Sequence, residues 1–197
     1  MTDDIDLLPK LRGGDEQAFV ELVGRYNDSM IRVARGFVSS HAVAEEVVQD
    51  TWLGVVRGLD RFEGRSTFKT WLFTILVNRA RSTGTKEHRS TPMEEVGPVV
   101  EGSRFDANGN WADPPDPWGD DIASRLQAAE FGTVLRAALD ALPIRQREVV
   151  TLRDVEGLSS YEVCHVLALS EGNQRVLLHR GRSHLRDALD HQYGRVV

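Results

Sequence analysis

Arg175, Arg180, Arg182 and Arg186 are interleaved with Leu177, Leu178, Leu185 and Leu189 towards the end of this chain. Guanidinium groups offer donors suited to phosphate oxygens and base edges, so the chemistry on offer is recognition of nucleic acid. Leu178, Leu185 and Leu189 recur at i, i+7 and i+11, which lets one stripe face a core while the arginines project elsewhere. Upstream, Tyr161 to Leu167 reads as a shorter amphipathic segment, and Ala168-Leu169-Ser170 as a tight break. Two helices about a short turn, the second longer and more basic, are what a helix-turn-helix requires. Ser170 is placed to cap the second helix, whose positive dipole end favours a phosphate. An ordinary helical hairpin with a solvated basic face fits the same stretch, so the rest of the chain has to decide.

Bond-making chemistry finds little support. There is no Gly-rich phosphate loop, HExxH, paired-cysteine metal site or nucleophile elbow. The six histidines (His41, His88, His165, His179, His184, His191) form no pattern of ligand spacing, and His179 and His184 fall on different faces of a helix. An enzyme, a cofactor and a metal site are therefore not expected. The single cysteine, Cys164, allows no internal disulfide; it fits a reducing cytoplasm and the apolar side of its helix. No apolar run approaches the roughly 18 residues of a membrane span. The acidic start, MTDDIDLLPK, lacks the basic and apolar regions of a signal peptide. A cytoplasmic protein without direct membrane insertion is expected.

A net charge of −6 over 197 residues looks wrong for a nucleic-acid binder until the charge is located. Arg61 to Arg89 holds seven basic residues against two acidic ones, whereas Ser90 to Arg125 holds eight acidic and two basic. A local basic footprint matters more than the total.

The elements that must position these groups are all helical. Phe19, Leu22, Val23, Tyr26, Met30, Val33, Ala34 and Phe37 recur at helical spacing, with Asp15 as the expected cap. Ala42 to Leu59 predicts a second helix, with Val43, Val47, Val48, Thr51, Trp52, Val55 and Val56 inward and Glu45, Glu46, Gln49 and Asp50 on the polar side. The loop Asp60 to Arg65 leads to Ser66, expected to cap a third helix that turns basic at Arg79 and Arg81. From Ser90 the breakers Thr91-Pro92, Gly97-Pro98 and Pro114-Pro115-Asp116-Pro117 mark a linker; its Phe105, Trp111 and Trp118 suit either a passive tether or a contact. Ile122 to Leu142 and Ile144 to Arg153 are helical again. The predicted architecture is all-α: helical domains at 10–89 and 123–190, joined by an acidic linker at 90–122.

Six blocks, three in each half, carry a family resemblance. Ala44 to Trp52, Leu59 to Gly64 and Ser66 to Leu72 resemble the second conserved region of bacterial extracytoplasmic-function (ECF) sigma factors. Leu142 to Val150, Arg153 to Ser159 and Leu178-His179-Arg180 resemble their fourth region. The resemblance implies a subunit that binds core RNA polymerase, recognises the −10 and −35 promoter elements and starts DNA opening. It implies docking on the polymerase β′ coiled coil through Glu46, Gln49, Asp50 and Trp52, a further contact with the β flap, and an anti-sigma partner. It assigns Arg61, Phe62, Arg65, Lys69, Trp71, Asn78, Arg79 and Arg81 to the −10 DNA, with Phe62 walling the pocket of a flipped base. Phe68 is assigned to the core, since its spacing of three from Trp71 suits packing. Ser170, Asn173, Gln174, Arg175, His179, Arg180 and Arg182 fall to the −35 element. The chain departs from the family pattern at Gln174, where an apolar residue is usual, at Val176-Leu177, which replace a polar-basic pair, and at Cys164 and Ala168, which replace alanine and glycine. A stand-alone helix-turn-helix regulator with an N-terminal helical sensor domain is the competing reading.

Overall fold

The computed structural model describes residues 4–88 and 129–193, and among these no strand occurs. The linker, with its aromatic residues, lies outside them. The described residues form eight α-helices in order: α1 (Asp4–Arg12), α2 (Glu16–Arg35), α3 (His41–Gly58), α4 (Phe68–His88), α5 (Ala129–Asp140), α6 (Ile144–Val150), α7 (Ser160–Leu167) and α8 (Glu171–Tyr193). A 3₁₀ turn at Leu59–Arg61 ends α3, and a π turn at Thr151–Val155 extends α6.

The first group packs α2, α3 and α4 around Leu22, Met30, Val48, Val55, Phe73 and Leu76, all buried. Asp15 caps α2 by accepting from the Gln17 and Ala18 amides, as expected. Ser40 does the same for α3 through Val43. Ser66 does not cap α4: the Thr67 hydroxyl accepts from the Thr70 amide at 3.1 Å, so the cap lies one residue later. The periodic stripe of α2 holds, with Leu22, Tyr26, Met30, Val33, Ala34 and Phe37 buried. In α3, Val56 departs from expectation and is 56% exposed.

Helix α1 was not legible in the acidic start, because Pro9 sits inside it. It buries Leu7 and Leu8 against α2, and Asp4 accepts from both Arg25 and the Tyr26 hydroxyl. Where α4 crosses the end of α2, a Cβ on Gly84 would lie 2.2 Å from the Phe37 carbonyl oxygen, so only glycine allows this approach.

The second group is built on Val149, Val150, Leu152, Leu158, Val163, Val166 and Leu167, onto which α8 lays Leu178. Leu189 of the predicted stripe is also buried, and Leu185 is partly so. A capping box starts α7: the Ser159 hydroxyl accepts from the Glu162 amide while the Glu162 carboxylate accepts from the Ser159 amide. Helix α7 ends at Ala168, the one non-glycine residue of positive φ (54°) among the described residues. The two groups touch, chiefly through α4 and α7.

Candidate nucleic-acid interface

The loop between α3 and α4 is held from three sides. Arg12 at the end of α1 donates to the Phe62 carbonyl at 2.6 Å and to the Leu59 carbonyl at 3.3 Å. Gly64, at φ 71°, supplies a backbone turn that a side chain would strain. Phe62 stacks on Trp71, with ring centroids 4.9 Å apart, and meets Phe68 edge-on at 6.2 Å. Phe68 is buried, as its spacing predicts, whereas Trp71 is only half-buried. Arg61, Phe62, Arg65 and Trp71 line one side of a cleft of about 570 Å³, faced on the other by Tyr161, Glu162 and His165 of α7. An aromatic wall beside two exposed arginines suits a base taken out of its stack with its phosphates nearby.

Along α4 the assigned residues divide. Asn78 is exposed, with an amide able to reach a base edge. Arg79 leans across α3: its Nη1 lies 3.9 Å from Asp50 Oδ2, and its guanidinium covers Gly54. Arg65 pairs with Glu63 while both remain exposed. Lys69 and Arg81 point to the second group instead. Lys69 Nζ donates to the Glu156 carbonyl, and Arg81 donates to Glu148 Oε2 at 2.9 Å and to the Leu167 carbonyl at 3.2 Å.

The outward face of α3 carries Glu46, Gln49 and Asp50, all exposed. Trp52 does not join them. It is 7% exposed and packs edge-on against Phe19 at 5.6 Å, so its inward position excludes it as a docking residue. Sequence reasoning missed Leu53 and Val56, 54% and 56% exposed. Their offsets of four and seven from Gln49 place them on the same face, and that spacing was the available signal.

In the helix-turn-helix, Ser170 caps α8 by accepting from the Asn173 amide at 3.3 Å. Asn173, Arg175 and Arg180 are exposed along α8, and His179 is half-buried. Gln174 is a correction: it is 2% exposed, wedged towards α7, where its Oε1 accepts from the Ser160 hydroxyl at 2.9 Å. An amide facing the partner helix cannot enter a groove. Arg182 is exposed, and Asp154 takes its guanidinium in a two-pronged pair at 2.6 and 2.8 Å. That pairing pushes its pKa up. Val176, 47% exposed beside Arg175, stands outward where the sequence departs from the family pattern. Its methyl groups suit a thymine methyl.

Glu162 has the most perturbed carboxyl of this region. Burial raises its pKa, but hydrogen bonds from Thr70, from the amide and hydroxyl of Ser159, and from Thr67 outweigh that and bring it down to about 2. Among the described residues no group of three or more His, Cys, Asp or Glu could hold a metal ion. No described helix is long and apolar enough to cross a membrane.

Residues 22–90 match Sigma-70 region 2, and residues 133–185 match Sigma-70, region 4. The ECF RNA polymerase sigma-E factor of Escherichia coli (strain K12) is 30% identical over 182 residues, covering 92% of this chain and 91% of that protein. The chain belongs to the ECF sigma factor family. It is a promoter-specific transcription initiation factor, and the stand-alone regulator falls because its supposed sensor half matches region 2. Sigma factors are DNA-binding initiation factors rather than enzymes, and this one inherits that standing from its family. The sigma-E factor of Haemophilus influenzae (strain ATCC 51907 / DSM 11121 / KW20 / Rd) is 27% identical over 186 residues, 94% of this chain and 95% of that one. Among solved structures, CnrH in complex with the cytosolic domain of CnrY is similar to this sigma factor at a TM-score of 0.62 and 26% identity, covering 96% and 97% of the two chains. The sigma factor RpoE in complex with the anti-sigma factor NepR, from Bartonella quintana, has the same TM-score at 25% identity, covering 87% and 96%.

Proposed function

We propose that residues 10–89 of this sigma factor bind core RNA polymerase and read the −10 element, and that residues 123–190 read the −35 element. The linker at 90–122 joins them. The observation that carries this reading is Asn78, exposed on a basic helix whose Trp71 forms an aromatic wall with Phe62 of the preceding loop. Unstacking bases costs a few kcal/mol per step, and an aromatic pocket offsets part of that. Arg61 and Arg65 serve phosphates at the loop, as do Arg79, Lys69 and Arg81 along α4. Glu46, Gln49 and Asp50, with the apolar Leu53 and Val56, form the face offered to the polymerase β′ coiled coil. An amphipathic exposed strip suits a helical partner better than a purely acidic one.

In the second half, Asn173, Arg175, Val176 and Arg180 reach the major groove from α8, the phosphate-facing end being set by Ser170. His179 follows them along the helix, and the same half meets the polymerase β flap. The protein works in the cytoplasm and is restrained by an anti-sigma factor, a reading supported by the similarity to RpoE in its complex with NepR.

Mixing the protein with sigma-free core polymerase and promoter DNA tests the whole scheme, because a sigma factor supports initiation only with the core present. Asn78→Ala is expected to lower promoter opening by about tenfold, in line with the 1–3 kcal/mol of one good base contact, with core affinity unchanged. Asp50→Arg should lower core affinity, with a smaller loss of opening through its neighbour Arg79. Equal losses in both assays for both variants would refute the assignment.

A further inference from the structure

Helix α8 turns one apolar side chain outward in its first two turns. Gln174, Leu178 and Gly181 are buried and form the stripe that faces the rest of the second group. At about 3.6 residues per turn, Val176 falls on the opposite side of α8 from that stripe. It is 47% exposed. Leu177, its partner in the departure from the family pattern, packs against the core instead, so the pair divides and only Val176 points out. Asn173 and Arg180 flank Val176 one turn before and one turn after, and both are exposed. Gly172 also lies one turn before it, and a Cβ there would meet nothing within 4 Å. No described neighbour requires that glycine. Its missing side chain leaves a shallow notch between Val176 and the start of the helix that Ser170 caps.

A single exposed valine is ordinary on a protein surface. This one stands among polar and basic groups at the N-terminal end of a recognition helix, the part that meets base edges in the major groove. Of the base edges displayed there, thymine alone carries an apolar group, its C5 methyl. From this placement we infer that Val176, with the notch at Gly172, selects a pyrimidine 5-methyl group at one position of the −35 element. The inference rests on the proposed −35 role of α8 and adds the base that one of its residues demands. Against a purine edge or the cytosine amino group, valine strips water from a donor or acceptor and offers no bond in return. The preference is therefore enforced by rejection as well as by contact. Because the methyl is the feature read, 5-methylcytosine, which carries it at the same place in the groove, is accepted over cytosine. A promoter with cytosine at that position thus responds to its methylation.

The test uses holoenzyme assembled from core polymerase and the full chain. Promoter duplex is selected on it from a random-sequence library, and the −35 element is located by footprinting. Each thymine of that element, on either strand, is replaced in turn by deoxyuridine, which lacks only the methyl, and affinity is read by competition. One replacement should weaken binding about three- to fivefold, the worth of one buried methyl, and the others should have little effect. Cytosine at the same position should bind more weakly still, and its 5-methylation should regain about the same factor. Val176→Ala should bind the thymine and deoxyuridine duplexes equally. Arg180→Gln should weaken both and keep their ratio, which separates methyl reading from a general loss of DNA affinity. A parent insensitive to every deoxyuridine, or a ratio that survives in Val176→Ala, would overturn the inference while the −35 footprint stands. Absence of any −35 footprint would overturn the −35 reading of α8 and the inference with it.

Discussion

Replacing Gln174 with methionine isolates what this residue does. The side chain is buried against α7, with one polar atom used and one wasted: Oε1 accepts from Ser160, while Nε2 has no partner. An unsatisfied buried donor costs about 1–3 kcal/mol, and the single bond made is worth about 0.5–1.5 kcal/mol net. Ser160 is exposed, so its hydroxyl turns to water once the amide is gone and the loss falls at the low end. Methionine keeps the length and nearly the volume, which limits any packing penalty. The expected result is stabilisation by about 1 kcal/mol, or roughly 2–4 °C in melting temperature for a body of this size. Urea unfolding should show a raised midpoint at constant slope, since the exposed surface is unchanged. The DNA arm is equally definite: promoter duplex carrying the −35 element should be bound by the holoenzyme within twofold of the parent. A loss of 1 kcal/mol or more in stability would mean that the amide is satisfied after all. A tenfold loss in −35 binding would mean that it reaches the groove, and the placement of α8 would be refuted.

Ala168→Gly should stabilise the chain, because alanine at φ 54° carries a left-handed cost of about 1–2 kcal/mol. Glycine returns about 0.4–1 kcal/mol of that through its unfolded entropy, so a net gain of about 0.5–1 kcal/mol is expected in a thermal melt. A loss would contradict the left-handed end of α7. The depressed carboxyl of Glu162 fixes the sign of an acid response. With its folded pKa about 2 against an ordinary 4.5, its contribution is complete above pH 4.5 and is lost as pH falls towards 2. The group is half-buried, so solvent screening leaves on the order of 1 kcal/mol. Thr70→Val should flatten the stability profile over that window, and an unchanged profile would remove Thr70 from the network.

The parts of the fold that local chemistry determines were legible. Helices α2 and α3 follow from their apolar spacing, and Asp15 and Ser170 cap where their side chains suggest. What was hidden depends on partners distant in sequence. Trp52 carried two expectations, inward by periodicity and outward by family role, and only the position of Phe19 decides between them. Gln174 reads as a groove residue because its amide combines reach with hydrogen-bond donors, yet Ser160 fourteen residues earlier supplies a partner that draws it inside. Glu148, Glu156 and Glu162 look like solvated charges in isolation. Their pairing with Arg81, Arg32 and Thr70 spans some 67, 124 and 92 residues, and no local pattern announces it. Helix α1 escaped because Pro9 argues against a helix, while its stability comes from packing Leu7 and Leu8 on α2.

The polymerase face and the DNA face meet at one place, and that makes Asp50→Arg an impure test. Asp50 Oδ2 lies 3.9 Å from Arg79 Nη1, and the Arg79 guanidinium rests on Gly54. An arginine at position 50 would therefore remove a proposed docking charge and also push Arg79, a proposed phosphate contact, off α3. The attraction itself is weak, since an exposed pair of this length is worth about 0–1 kcal/mol. A double-mutant cycle with Asp50→Asn and Arg79→Gln separates the effects. If docking and phosphate contact act independently, the two losses in promoter opening should add to within about 0.5 kcal/mol. If polymerase binding at Asp50 instead frees Arg79 to move to the DNA, Asp50→Asn should partly release it in advance. The cycle would then show a coupling of about 1 kcal/mol in opening and none in core affinity. Coupling of equal size in both assays would refute that relay and reduce the pair to a packing contact between α3 and α4.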